Sequence, residues 1–181
     1  MLTPSDSSEL LVIAREAIEH KINNESYNPA PREEKKLNDR AGCFVTIKQQ
    51  GILRGCIGNF QSQLPLYREV AQMAVASATE DPRFPPLQKA DLENIDLEIT
   101  VLSPLQKIEC TDEIIVGTHG IYIEKGLYRG VLLPQVAIEH NWNRLTFLQQ
   151  TCLKAGLNAE DWQLPDAEIY IFSGQIVNEQ N

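Results

Sequence analysis

The 181-residue sequence contains no CxxC pair, no apolar run of membrane-spanning length and, from Ala155 onward, no lysine or arginine. Each absence excludes something. A membrane helix needs about 18 or more consecutive apolar residues, so no spanning segment is expected. Met1–Asp6 lacks a basic region followed by an apolar one, so no signal peptide is expected, and the protein is expected to be cytoplasmic. The sequon Asn24-Glu25-Ser26 then carries no meaning. Cys43, Cys56, Cys110 and Cys152 stand apart instead of in the close doublets of a structural zinc site. In a cytoplasmic chain they are expected as free thiols. No GxGxxG, P-loop, HExxH or GxSxG string occurs, which leaves nucleotide, zinc-protease and esterase chemistry without local support.

What is present is an acidic, ordinary globular composition. Twenty-five acidic residues face 16 basic ones, for a net charge of −9. A surface that tracks phosphates relies on clustered Lys and Arg, so nucleic acid is an unlikely partner. The one dense basic cluster, Arg32, Lys35, Lys36 and Arg40, is interleaved with Glu33, Glu34 and Asp39 and reads as a solvated mixed-charge face. With 43% apolar residues the chain is long enough for one domain with a sizeable core, with room for two lobes.

Periodicity orders the chain. Asp6–Asn23 reads as an amphipathic helix with Leu10, Ile13, Ala14, Ala17, Ile18 and Ile22 inward, Asp6 at its cap and Glu9 completing a capping box. Ser26–Arg40 is a surface connection. Cys43–Lys48 and Ile52–Ile57 form a hairpin around Gln50-Gly51. Leu64–Thr79 is a second helix, with Leu66, Val70, Met73, Ala74, Ser77 and Ala78 inward. The prolines of Glu80–Pro86 end it. Ile95–Val101 alternates with period two and places Asp96 and Glu98 on the polar side. Ile121–Glu124 and Leu127–Leu133 form a second hairpin around Lys125-Gly126, followed by a helical turn from Pro134 to His140. A last helix spans Asn143–Ala155 with Leu145, Leu148 and Cys152 inward and Gly156 as its stop. Glu168–Phe172 is the final strand, and Asn178–Asn181 is expected to fray. Hairpins with flanking helices and little βαβ alternation predict an α+β fold with a mainly antiparallel sheet.

The stretch most suggestive of chemistry is Leu53-Arg54-Gly55-Cys56-Ile57-Gly58, where two glycines in a strand suggest a bulge or a close backbone approach. On a regular strand Arg54 and Cys56 share a face, and a cation beside a thiol favours the thiolate. Against this, most free cysteines are small buried hydrophobes. His119, on the Thr118-His119-Gly120 turn, is either a base or ligand, or a solvent-facing turn residue. Asp81 and Arg83 sit in a rigid proline-rich turn, where Arg83 either pairs structurally with Asp81 or is presented to a ligand. Glu98 is by default a solvated side chain and joins a site only if its face meets Cys56 or His119.

The hexapeptide resembles the hallmark of the AMMECR family, also called AmmeMemoRadiSam system protein A. The likeness continues through Asp81-Pro82-Arg83-Phe84, Leu97–Ser103, Gly117–Ile121, Leu133–Ala137 and Lys154–Leu157 before Trp162. It implies a two-lobed α+β fold of a single family domain, an intracellular location, and a place in a pathway shared with Memo-like and radical-SAM proteins. It does not imply a reaction, and no cofactor or metal is assigned. Family motifs fall on Arg54, Cys56, Asp81, Arg83, Glu98 and His119. Three functions compete. The first is small-molecule binding or thiol-dependent catalysis, with Cys56 as nucleophile or ligand, His119 as base, Glu98 orienting it, and Arg54, Asp81 and Arg83 at the substrate. The second is a non-catalytic adaptor docking such partners, which requires an exposed apolar patch. Nucleic-acid binding ranks last.

Overall fold

The computed structural model describes residues 1–179 and divides into two compact units, Met1–Leu102 with the stretch from Gln175, and Ser103–Gly174. Each is an antiparallel sheet with helices on one face, and the predicted α+β class with flanking helices holds.

The first unit opens with α1 (Pro4–Ile22), which buries Leu10, Ile13, Ala14, Ala17 and Ile18. Its cap is Thr3, not Asp6. Thr3 Oγ1 accepts from the Asp6 amide at 3.2 Å while Asp6 accepts from the Thr3 amide at 2.8 Å, so Asp6 is the third-residue partner of the box. Pro4 explains the shift, since a first-turn proline gives up only an amide that would be orphaned anyway. The connection that follows contains one turn of helix, α2 (Lys35–Asn38), which buries Leu37.

Strands β1 (Cys43–Gln49) and β2 (Ile52–Asn59) form the first hairpin. Gln50 and Gly51 both take left-handed angles, φ +53 and +77, as a tight hairpin whose turn matches the strand twist requires. Helix α3 (Leu66–Thr79) crosses behind them, and β3 (Ile95–Leu102) pairs with β1 from Cys43↔Val101 to Gln49↔Ile95. The strand order is β2-β1-β3-β8, where β8 (Gly174–Asn178) is a strand absent from the sequence reading. β8, not the strand before it, is therefore the last; of the tail expected to fray, residues 180 and 181 lie outside the described residues. Cys43, Val45, Ile47, Leu97, Ile99 and Val101 point toward α1 and α3 and form the core. Phe44, Thr46, Lys48, Asp96, Glu98 and Thr100 alternate onto the helix-free face.

The second unit has the order β4-β7-β5-β6, from β4 (Gln106–Lys107), β5 (Gly120–Lys125), β6 (Tyr128–Leu132) and β7 (Glu168–Phe172). Ile121, Ile123, Ile169, Ile171 and Leu132 pack on α5 (Arg144–Lys154) through Phe147, Leu148 and Cys152, with α4 (Pro134–Glu139) adding Ala137. Leu145 was expected inward but is 49% exposed. The buried stripe of α5 runs through Phe147, Leu148, Thr151 and Cys152, which leaves Leu145 at its margin. Ile114–Gly117, read as a short apolar run, is loop. No helix among the described residues is long and apolar enough to cross a membrane.

Candidate functional site

β2 is the edge strand of its sheet, and Cys56 lies midway along it. The Cys56 amide donates to Asp81 Oδ2 at 2.8 Å and its carbonyl accepts from Arg83 Nη2 at 3.2 Å. Arg83 closes the triangle with a bidentate pair to Asp81, Nε to Oδ1 at 2.9 Å and Nη2 to Oδ2 at 2.7 Å. The Arg83 amide adds a fourth bond to Asp81, at 3.1 Å. Asp81 is buried at 5% exposure, while the Arg83 side chain remains 54% exposed. The Arg83 guanidinium, helped by the Cys56 and Arg83 amides, holds the Asp81 carboxyl well below the usual carboxylate range, against the opposing pull of burial. Pro82 and the turn after α3 set the two side chains close enough to form this fork (Phe84 N donates back to Asp81 O at 3.2 Å).

The thiol itself faces away from the helices. Thr46 pairs with Cys56 on one side and with Glu98 on the other, so the three side chains lie in one row across β2, β1 and β3. Thr46 Oγ1 donates to Cys56 Sγ at 3.2 Å. Glu98 accepts from Lys48 Nζ at 3.0 Å. The half-buried thiol is thus approached by a hydroxyl donor from the sheet, while the anchored Arg83 holds the carbonyl of the same residue. Burial pushes the thiols of Cys43 and Cys152 up, as suits core cysteines. Cys110 is exposed in a turn, where its sulfur accepts from the Asp112 amide at 3.4 Å.

The glycines have a steric reason. A Cβ at Gly55 would lie 2.2 Å from the Ser77 carbonyl oxygen of α3. That close approach lets the Ser77 hydroxyl reach between the strands, accepting from the Ile57 amide at 2.8 Å and donating to the Val45 carbonyl at 2.7 Å.

The same stretch departs from the regular strand assumed for Arg54. The β1–β2 register slips between Ile47↔Gly55 and Lys48↔Leu53, which leaves Arg54 as the extra residue of a bulge. Regular alternation no longer puts it on the face of Cys56. Arg54 instead lines a surface depression of about 370 Å³ at the hairpin tip with Gln49, Gln50, Ile52 and Leu53.

His119 belongs to the second unit, and its described contacts are local. Nδ1 lies 3.2 Å from the Ile115 amide and 3.1 Å from the Glu113 carbonyl oxygen, holding the 113–119 turn together. The structure therefore groups Cys56, Asp81 and Arg83 directly, places Glu98 in the thiol's row with Lys48 as its partner, and puts His119 in a turn of the other unit. Thr46 at the thiol, Lys48 at Glu98 and Ser77 behind β2 were not singled out as site residues from sequence. Only strand register brings Thr46 into that row, and Lys48, in a neighbouring row of the same face, within reach of Glu98. Among the described residues no group of three or more His, Cys, Asp or Glu is placed to hold a metal ion.

Fold and site define a class: an α+β protein of two sheet-based units with a thiol row on the helix-free face of the first. The chain belongs to the AMMECR1 family, whose model matches residues 11–177. It is 44% identical over 177 residues to a protein of Nanoarchaeum equitans, covering 94% of this chain and 98% of that one. A Methanopyrus kandleri protein is 37% identical over 188 residues, covering 99% and 91%. The crystal structure of an uncharacterized protein of Pyrococcus horikoshii superposes with a TM-score of 0.77 at 36% identity, covering 92% of this chain and 88% of that one.

Proposed function

We propose that the helix-free face around Cys56 binds a small anionic molecule, with the thiol as the reactive or ligating atom and Arg83 as the anion anchor. One observation carries this reading. Arg83 is fixed by Asp81 against the Cys56 carbonyl yet stays more than half exposed, and its Nη1 has no hydrogen-bond partner among the described residues. A guanidinium held rigidly beside a half-buried thiol is preorganised for a carboxylate or phosphate, because its orientation is set before the ligand arrives. Thr46 supports the reading by donating to the sulfur from the opposite strand.

The test compares alkylation of Cys56 by iodoacetate and by iodoacetamide, followed by peptide mass spectrometry, with exposed Cys110 as the internal standard. The anchored cation should favour the anionic reagent, so the iodoacetate-to-iodoacetamide rate ratio at Cys56 exceeds that at Cys110 by about fivefold or more, an effect of about 1 kcal/mol. Arg83→Gln should bring the two ratios together. If Cys56 stays inert until the protein unfolds, or if the ratios are already equal in the wild type, the stretch is core architecture and the reading is wrong.

A further inference from the structure

An open cleft of about 330 Å³ lies in the first unit, lined by α1, α3 and the segment after α1. We propose that this cleft binds a small amphipathic anion, a molecule with one carboxylate or phosphate head and an apolar body. The volume falls within the range of natural small-molecule sites, about 300–1,000 Å³.

Its lining is divided by chemistry. Ala17 and Ala71, 2% and 7% exposed, form the inner wall with Val75 beside them. Two alanines where neighbouring helices face each other leave the space that larger side chains would fill, and what they present is apolar. At the mouth stand Lys21, from the last turn of α1, and Arg68, from the first turn of α3. Neither cation has a carboxylate partner among the described residues, although the protein carries a net charge of −9. The carboxylate in the wall, Glu25, places Oε2 2.8 Å from His20 Nδ1. The rim is also built in advance. The Tyr27 hydroxyl donates to Glu16 at 2.8 Å, and its ring stacks on His20 with centroids 5.2 Å apart. Burial, with Glu16 second, keeps that hydroxyl protonated well above the ordinary tyrosine range. An apolar wall, two cations at the opening without carboxylate partners among the described residues (Arg68 lies over the Tyr67 ring, 5.8 Å from its centroid) and a fixed rim favour a ligand whose charge ends at the mouth and whose body lies inside.

Octanoate, octanamide and inorganic phosphate are suitable probes, titrated into the full-length protein and followed by amide chemical shifts. Octanoate should give saturable shifts at Ala17, Ala71 and Val75, with affinity about tenfold or more above both octanamide and phosphate, a difference of about 1.4 kcal/mol. Lys21→Gln and Arg68→Gln, both at exposed positions, should each weaken octanoate several-fold and leave the thermal midpoint unchanged. Equal binding of octanoate and octanamide overturns the proposal, because charge then plays no part. Equal binding of octanoate and phosphate overturns it too, because the apolar wall is then idle. Absence of saturable shifts in the cleft also ends it, and none of these outcomes bears on Cys56.

Discussion

At Cys56 the contacts divide between main chain and side chain: the amide and carbonyl go to Asp81 and Arg83, and the sulfur receives the Thr46 hydroxyl. Asp81 therefore has two effects. It satisfies an edge strand's amide, which would otherwise be open to pairing with another chain, and it orients Arg83. Its charged form is the stabilising one. A carboxyl held low in the folded state contributes stability that is fully present above the unfolded-state pKa of about 3.9 and is lost as pH falls through the lower folded value. Asp81→Asn should lower the unfolding free energy at pH 7 by about 1.5–3 kcal/mol, the range for hydrogen bonds to a charged group. The gap between variant and wild type should narrow as the pH drops below about 4. Urea unfolding at pH 7, 5 and 3 checks this, and a gap that stays constant across the series would show that the carboxylate's charge is not what matters.

At the level of elements, the packing of α3 on β2 depends on Gly55 and Ser77 together. Ser77→Ala leaves the Ile57 amide and Val45 carbonyl without the hydroxyl that bridges them, with an expected loss of about 1–3 kcal/mol. Gly55→Ala drives a methyl into the Ser77 backbone and is expected to cost about 1–3 kcal/mol or more, since neither backbone can yield without displacing the sheet or the helix. Helix α5 offers a contrast within one element. Phe147→Ala, at a fully buried position, should lose about 3–5 kcal/mol. Leu145→Ser, at an exposed one, should stay within about 0.5 kcal/mol. Denaturant midpoints for this pair test the observed phase of α5 directly, because the spacing of Leu145, Leu148 and Cys152 alone suggests the opposite for Leu145.

For the whole molecule, the property open to a direct test is charge. A net charge of −9 predicts no retention on heparin resin in low-salt buffer, and retention that weakens steeply with salt would revive the nucleic-acid alternative. The α+β class, the two hairpins and the three long helices were legible in the sequence because period-two and period-3.6 burial leaves a local pattern. The short elements α2 and β4 were not, since four and two residues carry too little periodicity to separate from loop, and neither was the closing strand β8, whose Gly174-Gln175-Ile176-Val177-Asn178 shows no apolar-polar alternation. Asp81 and Arg83 were legible as a turn pair from their spacing around Pro82. Their hold on Cys56, 25 and 27 residues away, was not. Nor was the bulge at Arg54, which interrupts the alternation on which the same-face reading rests. The sequence by itself determined composition, charge, element type and the residues able to do chemistry, all of which are local properties of the chain. Tertiary structure alone decided that Thr46 would sit between Cys56 and Glu98, that Ser77 would bridge two strands and that Lys21 and Arg68 would flank one cleft. Those are matters of register and helix packing, set by which distant surfaces bury one another.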